Sequence, residues 1–105
     1  MEQYIIAARL KPGKAAEAEQ MLETGPPFDP SESVLAAHAA YVTDNDVYLL
    51  FESETARTTA LQLAREHPVE VSRWQAIVSG LPFRVAEVPR DARCVYQWQA
   101  AKAPR

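Results

Sequence analysis

The sequence predicts an α+β domain in which a split β-α-β-β-α-β order builds an antiparallel sheet with helices on one face. Three observations predict it. An apolar run at residues 4–10 precedes a stretch whose apolar residues recur every three to four positions. Two apolar runs flank the turn formers Thr43, Asp44, Asn45 and Asp46. A second helical region, broken at Pro68, leads to an alternating stretch that starts at Phe83. The chain has 105 residues, which suits one domain over 1–99 with a frayed tail at 100–105.

Residues 4–10 are apolar on both parities, as in a strand covered on both faces. Pro12 and Gly13 end that run. The next predicted element is a helix whose Ala15, Ala18, Met21 and Leu22 share one stripe, while Glu17, Glu19, Gln20 and Glu23 face elsewhere. Gly25 supplies a left-handed stop and Pro26 bars continuation. The prolines at 26, 27 and 30 make a stiff loop around Phe28. It reads either as a connector pinned by Phe28 in the core or as a rigid lip over a cavity.

Strands are expected over 33–42 and 47–52. A two- or four-residue loop pairs Val42 with Val47, Tyr41 with Tyr48 and His38 with Phe51. His38, Ala40, Leu49 and Phe51 then share one face, and Ala39, Tyr41, Tyr48, Leu50 and Glu52 the other. An odd loop reverses every assignment. Ser53 is the predicted cap of the second helix. Ala56, Ala60, Leu63, Ala64 and His67 form its apolar stripe, and Pro68 fits a new helix start. Val71, Trp74, Val78 and Leu81 continue at core spacing until Gly80 closes the region. Residues 83–88 alternate as a half-buried strand, and 94–98 read as another short strand or an arm.

Hydrophobic residues make up 48% of the chain and the net charge is −3, without a Lys/Arg cluster. That balance argues against nucleic acid, whose phosphates demand a basic patch, and against an anionic membrane surface. No apolar run reaches a membrane-spanning length and the start carries no signal pattern, so a cytoplasmic location is expected. Cys94 is the single cysteine and reads as a small hydrophobe. The two histidines and one cysteine lack metal-ligand spacing, and no Gly-rich phosphate loop is present. Neither a metal nor a cofactor is expected.

With this element order, size and spacing, the chain resembles the dimeric α/β-barrel superfamily on the ferredoxin-like fold. The antibiotic-biosynthesis monooxygenases and the stress-responsive barrel proteins belong there, as do polyketide cyclases and haem-degrading oxygenases. The resemblance covers nearly the whole chain and is topological. The histidine, tryptophan and asparagine pattern of the haem-degrading members is not reproduced. Pro68 separates His67 from Trp74, and residues 4–10 hold no asparagine. The resemblance implies a homodimer whose two sheets face each other around a chamber. A bare face carrying Ala39, Tyr41, Tyr48 and Leu50 is rarely left exposed on a monomer. Residues 94–98, with Tyr96 and Trp98, can reach across to the partner's sheet.

On this reading Glu52 is the first catalytic candidate. It ends its strand on the face of Tyr41 and Tyr48, and a carboxylate against aromatic surface is poorly solvated, as a general base near neutral pH requires. The bland alternative is a strand-end glutamate in water or an ion pair. His38 is the second candidate, with room beside it among alanines. On even parity it faces the helices as a hydrogen-bonded core histidine, and on odd parity it enters the chamber. Tyr41 and Tyr48 stabilise the sheet as a cross-strand pair and are positioned to orient a ligand. Arg9 interrupts an apolar strand, falls nearer Tyr48 than Glu52, and suits an anionic or phenolate group unless it only snorkels to the sheet edge. Trp74 is a core residue whose indole N–H needs a partner or a ligand. The expected function is binding of a small aromatic or polyketide-like molecule, with cofactor-independent oxygenation or cyclisation by general acid–base chemistry. The alternative is a non-catalytic homodimer that binds a ligand or a protein.

Overall fold

The computed structural model describes residues 1–101. The elements are β1 (Glu2–Leu10), α1 (Ala15–Glu23), a short 3-10 turn (Pro30–Glu32), β2 (Ala37–Val42), β3 (Asp46–Ser53), α2 (Ala56–Glu66), α3 (Pro68–Ile77), β4 (Val78–Val85) and β5 (Arg93–Gln99). They form one antiparallel sheet in the order β4-β1-β3-β2-β5. The α+β split order is therefore present, with five strands in the sheet rather than four. No helix among the described residues is long and apolar enough to cross a membrane.

Local chemistry explains the boundaries. Gly25, at φ 82°, follows α1, and its N–H donates to the Leu22 carbonyl. The β2–β3 hairpin has the even parity the sequence suggests. Val42 pairs with Val47, Tyr41 with Tyr48 and His38 with Phe51. Thr43 Oγ1 accepts from the backbone N–H groups of Asn45 and Asp46, at 3.2 and 2.9 Å, which ties the turn to its own side chain. Ser53 is not the cap of α2 as expected: Thr55 is the N-cap residue, and Ser53 Oγ accepts from its N–H at 3.0 Å just before the helix. Pro68 opens α3, where its missing N–H costs no helix bond.

Gly80 does not end the second helical region as expected. Strand β4 begins at Val78, and Gly80 lies within it at φ 82°. The β1–β4 register shifts between Ala7 and Arg9, so Gly80 permits a bulge that leaves Leu81 88% exposed. β2 also starts later than expected, because residues 30–32 form the short turn.

The core lies between the sheet and its helices. Val42, Val47, Ile77, Ala18 and Leu22 form one buried cluster, and Leu35, Phe51, Ala56 and Ala60 a second. Full burial of a Val, Leu or Ile contributes about 1.5–3 kcal/mol each. These two clusters fix the helices to the strands.

The opposite face differs from the expectation of a bare surface. Ile5, Ala7, Ala39 and Tyr48 point away from the helices, yet all four are buried within the single chain. The cover comes from residues 86–92, which join β4 at one sheet edge to β5 at the other. The five-stranded sheet is about 19 Å between those edges. The connection from Val85 to Arg93 spans at most about 26 Å. It has to cross a face directly, and the burial of Ile5, Ala7, Ala39 and Tyr48 on the face that carries no helix places the crossing there. β5 then pairs with the chain's own β2, Tyr96 opposite Ala40 and Trp98 opposite His38. Ala100 N–H donates to the Ala36 carbonyl at 2.9 Å, and the rest of the expected frayed tail, 102–105, lies outside the described residues.

Candidate functional site

The tyrosine-bearing face gathers four of the sequence candidates without enclosing them in one pocket. Tyr41 and Tyr48 are cross-strand partners beneath the strap. Arg9 lies at that sheet's end, its Nε 3.5 Å from the Asp46 carboxylate, and lowers the proton affinity of the Tyr48 hydroxyl. Burial first, then Asp46 and Asp91, push that hydroxyl above its ordinary value. Glu52 sits at the other end and accepts a hydrogen bond from Gln3 Nε2 at 3.0 Å. Arg9 and Glu52 therefore occupy opposite ends of the sheet, each with a polar partner of its own.

An apolar cavity of about 170 Å³ lies on the other side, between the sheet and the helices. Its floor is Ile6, Leu49 and Phe51 with His38, and its roof is Leu63, Val71 and Trp74 from α2 and α3. It exists because small residues meet there. Buried Ala40 on β2 and Ala60 on α2 leave the two layers unfilled between them, and exposed Ala64 lies at the rim. The rigid loop Gly25, Pro26, Pro27 and Phe28 walls one side, and Phe28 also pins it by packing against the Leu35 and Phe51 cluster.

His38 is the polar centre of this cavity. It is 4% exposed and surrounded by rings, with Phe51 at 4.6 Å, Phe28 at 5.5 Å and Tyr96 at 5.7 Å between centroids. Its Nδ1 lies 2.9 Å from the Leu50 carbonyl oxygen, which can only accept, so Nδ1 carries the proton. Nε2 is then a bare lone pair. It makes no hydrogen bond among the described residues, yet no fully buried side-chain polar atom there lacks a partner. Nε2 therefore reaches open space, and on a helix-facing position between β3 and β5 that space is the cavity. Burial pushes the imidazole below its ordinary value, against the opposing pull of the Leu50 bond, so the ring is neutral near pH 7.

His67 stands at the α2–α3 junction with Nδ1 donating to the Leu63 carbonyl at 2.9 Å, and Phe28 packs against it as well as against His38. Trp74 is half-buried and lines both the cavity and the groove beside it. Tyr96, Glu70 and Phe28 are also in the wall. Sequence reasoning missed this grouping because it looked for a chamber on the tyrosine side. The signal present was the pairing of His38 with small residues both on its own strand and on the facing α2 stripe.

Outside the cavity, α1 and α3 enclose a second groove of about 480 Å³. Glu17, Gln20, Glu70 and Arg73 line it, and it shares the walls Met21, Pro26 and Trp74 with the inner space. Among the described residues, no group of three or more His, Cys, Asp and Glu is arranged to hold a metal ion.

The chain matches no protein-family model, no curated protein and no solved structure. What the fold defines is a small α+β domain with an open five-stranded antiparallel sheet and three helices, an arrangement compatible with the ferredoxin-like fold.

Proposed function

We propose that this domain binds a small aromatic molecule carrying a hydroxyl, with its ring in the cavity between sheet and helices and its O–H donated to His38 Nε2. One observation carries the reading. A 96%-buried histidine has an unused acceptor aimed into an apolar space. A ligand hydroxyl that donates to this lone pair adds a hydrogen bond worth about 0.5–1.5 kcal/mol net. The volume fits one ring, since an apolar cavity of about 150 Å³ takes benzene.

The same geometry supports general acid–base chemistry. A neutral imidazole with its tautomer fixed by a backbone carbonyl accepts a hydrogen bond from a phenol, and it acts as a base only where the substrate proton is acidic enough to offset the burial of an imidazolium. On this reading His38 is the base of a cofactor-independent oxygenase or cyclase. Glu52, Arg9 and the tyrosine pair serve the opposite face.

Calorimetric titration with p-cresol and toluene tests the proposal. The cresol should bind about tenfold more tightly, and His38→Phe should erase that difference while toluene binding persists. Equal affinities for the two in the native protein would remove His38 from the site.

A homodimer is the second reading. Its support is the apolar edge of β4, where Leu81 is 88% and Phe83 50% exposed. Light scattering across a dilution series tests it. A single-chain mass at every concentration would rule it out.

A further inference from the structure

We propose that the inner cavity and the outer groove together hold one bipartite ligand, a 4-hydroxyphenyl ring bearing an α-amino acid head. The ring hydroxyl meets His38, and the head lies between Glu70 and Arg73. The inference rests on the ring-binding reading above and adds the head.

The two spaces are adjacent and differ in character. The inner one is walled by apolar and aromatic side chains, whereas the outer one is lined by charged and amide groups of α1 and α3. No strand residue lines the outer groove. It therefore lies among α1, α3 and the Gly25–Pro27 loop, beside the inner cavity and away from the sheet floor on which His38 sits. A ring that donates its hydroxyl to His38 points its para substituent away from the sheet. The exit past Met21, Pro26 and Trp74 leads into the outer groove.

The charges there select the head. Glu70 and Arg73 are three residues apart on α3 and so lie on one face, about 5–6 Å between Cβ atoms. Neither makes an ion pair or a side-chain hydrogen bond among the described residues. Glu17, the other carboxylate of the groove, is held by Lys14 at 3.2 Å. Glu70 lines both spaces and Arg73 only the outer one. An ammonium group one or two carbons from the ring thus reaches Glu70 first. A carboxylate beyond it meets the Arg73 fork, which suits bidentate pairing. A ligand with a carboxylate alone has to pass Glu70, and one with an amine alone leaves Arg73 unused. The zwitterion answers both.

The test compares four probes by calorimetry with the intact chain. These are p-cresol (ring alone), tyramine (ammonium), 3-(4-hydroxyphenyl)propionate (carboxylate) and L-tyrosine (both). Each exposed ion pair adds about two- to fivefold, so L-tyrosine with two should bind about four- to twenty-five-fold more tightly than p-cresol. That gain should shrink as salt is raised. Arg73→Gln should reduce L-tyrosine to the level of tyramine, and Glu70→Gln should reduce it to the level of the propionate. Arg73→Gln should leave p-cresol binding unchanged, because Arg73 lines only the outer groove, and for Glu70→Gln the gain of L-tyrosine is read relative to p-cresol in the same variant. If p-cresol binds and L-tyrosine binds no better, or if both variants keep the native ranking, the head assignment is overturned and the ring site stands. If none of the four binds, the ring site falls and the head assignment with it.

Discussion

The Leu50 carbonyl oxygen lies 2.9 Å from His38 Nδ1, and this single contact decides which nitrogen the cavity sees. Because a carbonyl cannot donate, the proton is fixed on Nδ1 and the lone pair on Nε2. Protonating Nε2 would bury an imidazolium among Phe28, Phe51 and Tyr96.

That arrangement makes stability depend on acidity. Burial holds the His38 imidazole below its ordinary value in the folded chain, while the unfolded chain titrates as an ordinary histidine near 6.5. Between those values the unfolded state binds more protons, so stability rises with pH. The contribution is complete above about 6.5 and is lost as pH falls through the depressed folded value. His67 and Glu70 share the cavity wall and Tyr96 faces the ring, so a comparison with His38→Gln isolates the effect. Thermal melts at pH 7.5 and 5.0 should show a larger fall in Tm for the native chain than for His38→Gln. Equal falls would mean that His38 is not the titrating group.

Phe28 governs how large a ligand the cavity takes. Its ring packs against both His38 and His67, at 5.5 and 6.0 Å, and closes one side of the space. Phe28→Ala should cost about 2 kcal/mol, less than a fully buried phenylalanine because the residue is only half-buried. It should also admit a two-ring ligand such as 2-naphthol that the native cavity excludes. Urea melts give the first quantity and titration the second. A variant of native stability that still excludes naphthol would show that Phe28 is not the wall.

Much of the fold was legible because periodicity reports directly on burial. The even hairpin parity followed from Val42 and Val47 flanking a turn of Thr43, Asp44, Asn45 and Asp46, and the sheet pairs as that parity requires. The helix break at Pro68 followed from proline's missing donor. The start of β4 was not legible. Val78 and Leu81 fit a helical stripe as well as a strand, and only pairing with β1 decides between them. The destination of β5 was equally hidden, since no local pattern states which β2 a strand will join. The cavity was hidden for a related reason. An alanine on β2 and one on α2 look like filler in the sequence, and only their juxtaposition across layers makes a void.

Gly25 terminates α1 at a backbone angle that other residues resist. Its φ is 82°, and a Cβ placed there meets Tyr96 Cε2 at 3.6 Å, an ordinary contact. The penalty for Gly25→Ala is therefore conformational rather than steric, about 1 kcal/mol. Gly25→Asn should cost less, because asparagine tolerates the left-handed region better. Urea melts of the two variants check the order. An alanine variant as stable as the native chain would mean that this turn readily adopts another conformation.

The strap over the tyrosine face makes the last prediction. Residues 86–92 connect opposite sheet edges with little slack, about 26 Å of reach for a crossing of about 19 Å plus an offset along the strands. Deleting residues 86–88 cuts the reach to about 17 Å, which is shorter than the sheet is wide. β5 then cannot pair with its own β2. Leaving that edge unpaired exposes a ladder of backbone groups beside the buried Ala40 and Val42, so a second copy's β5 becomes the favoured partner. The shortened chain should form a strand-exchanged dimer that survives dilution, whereas a face-to-face pair of native chains would come apart. Light scattering over a hundredfold dilution distinguishes the two. A shortened chain that remains a native-like single subunit would mean that the segment takes another route, and the burial of Ala39 and Tyr48 would then need a different cover.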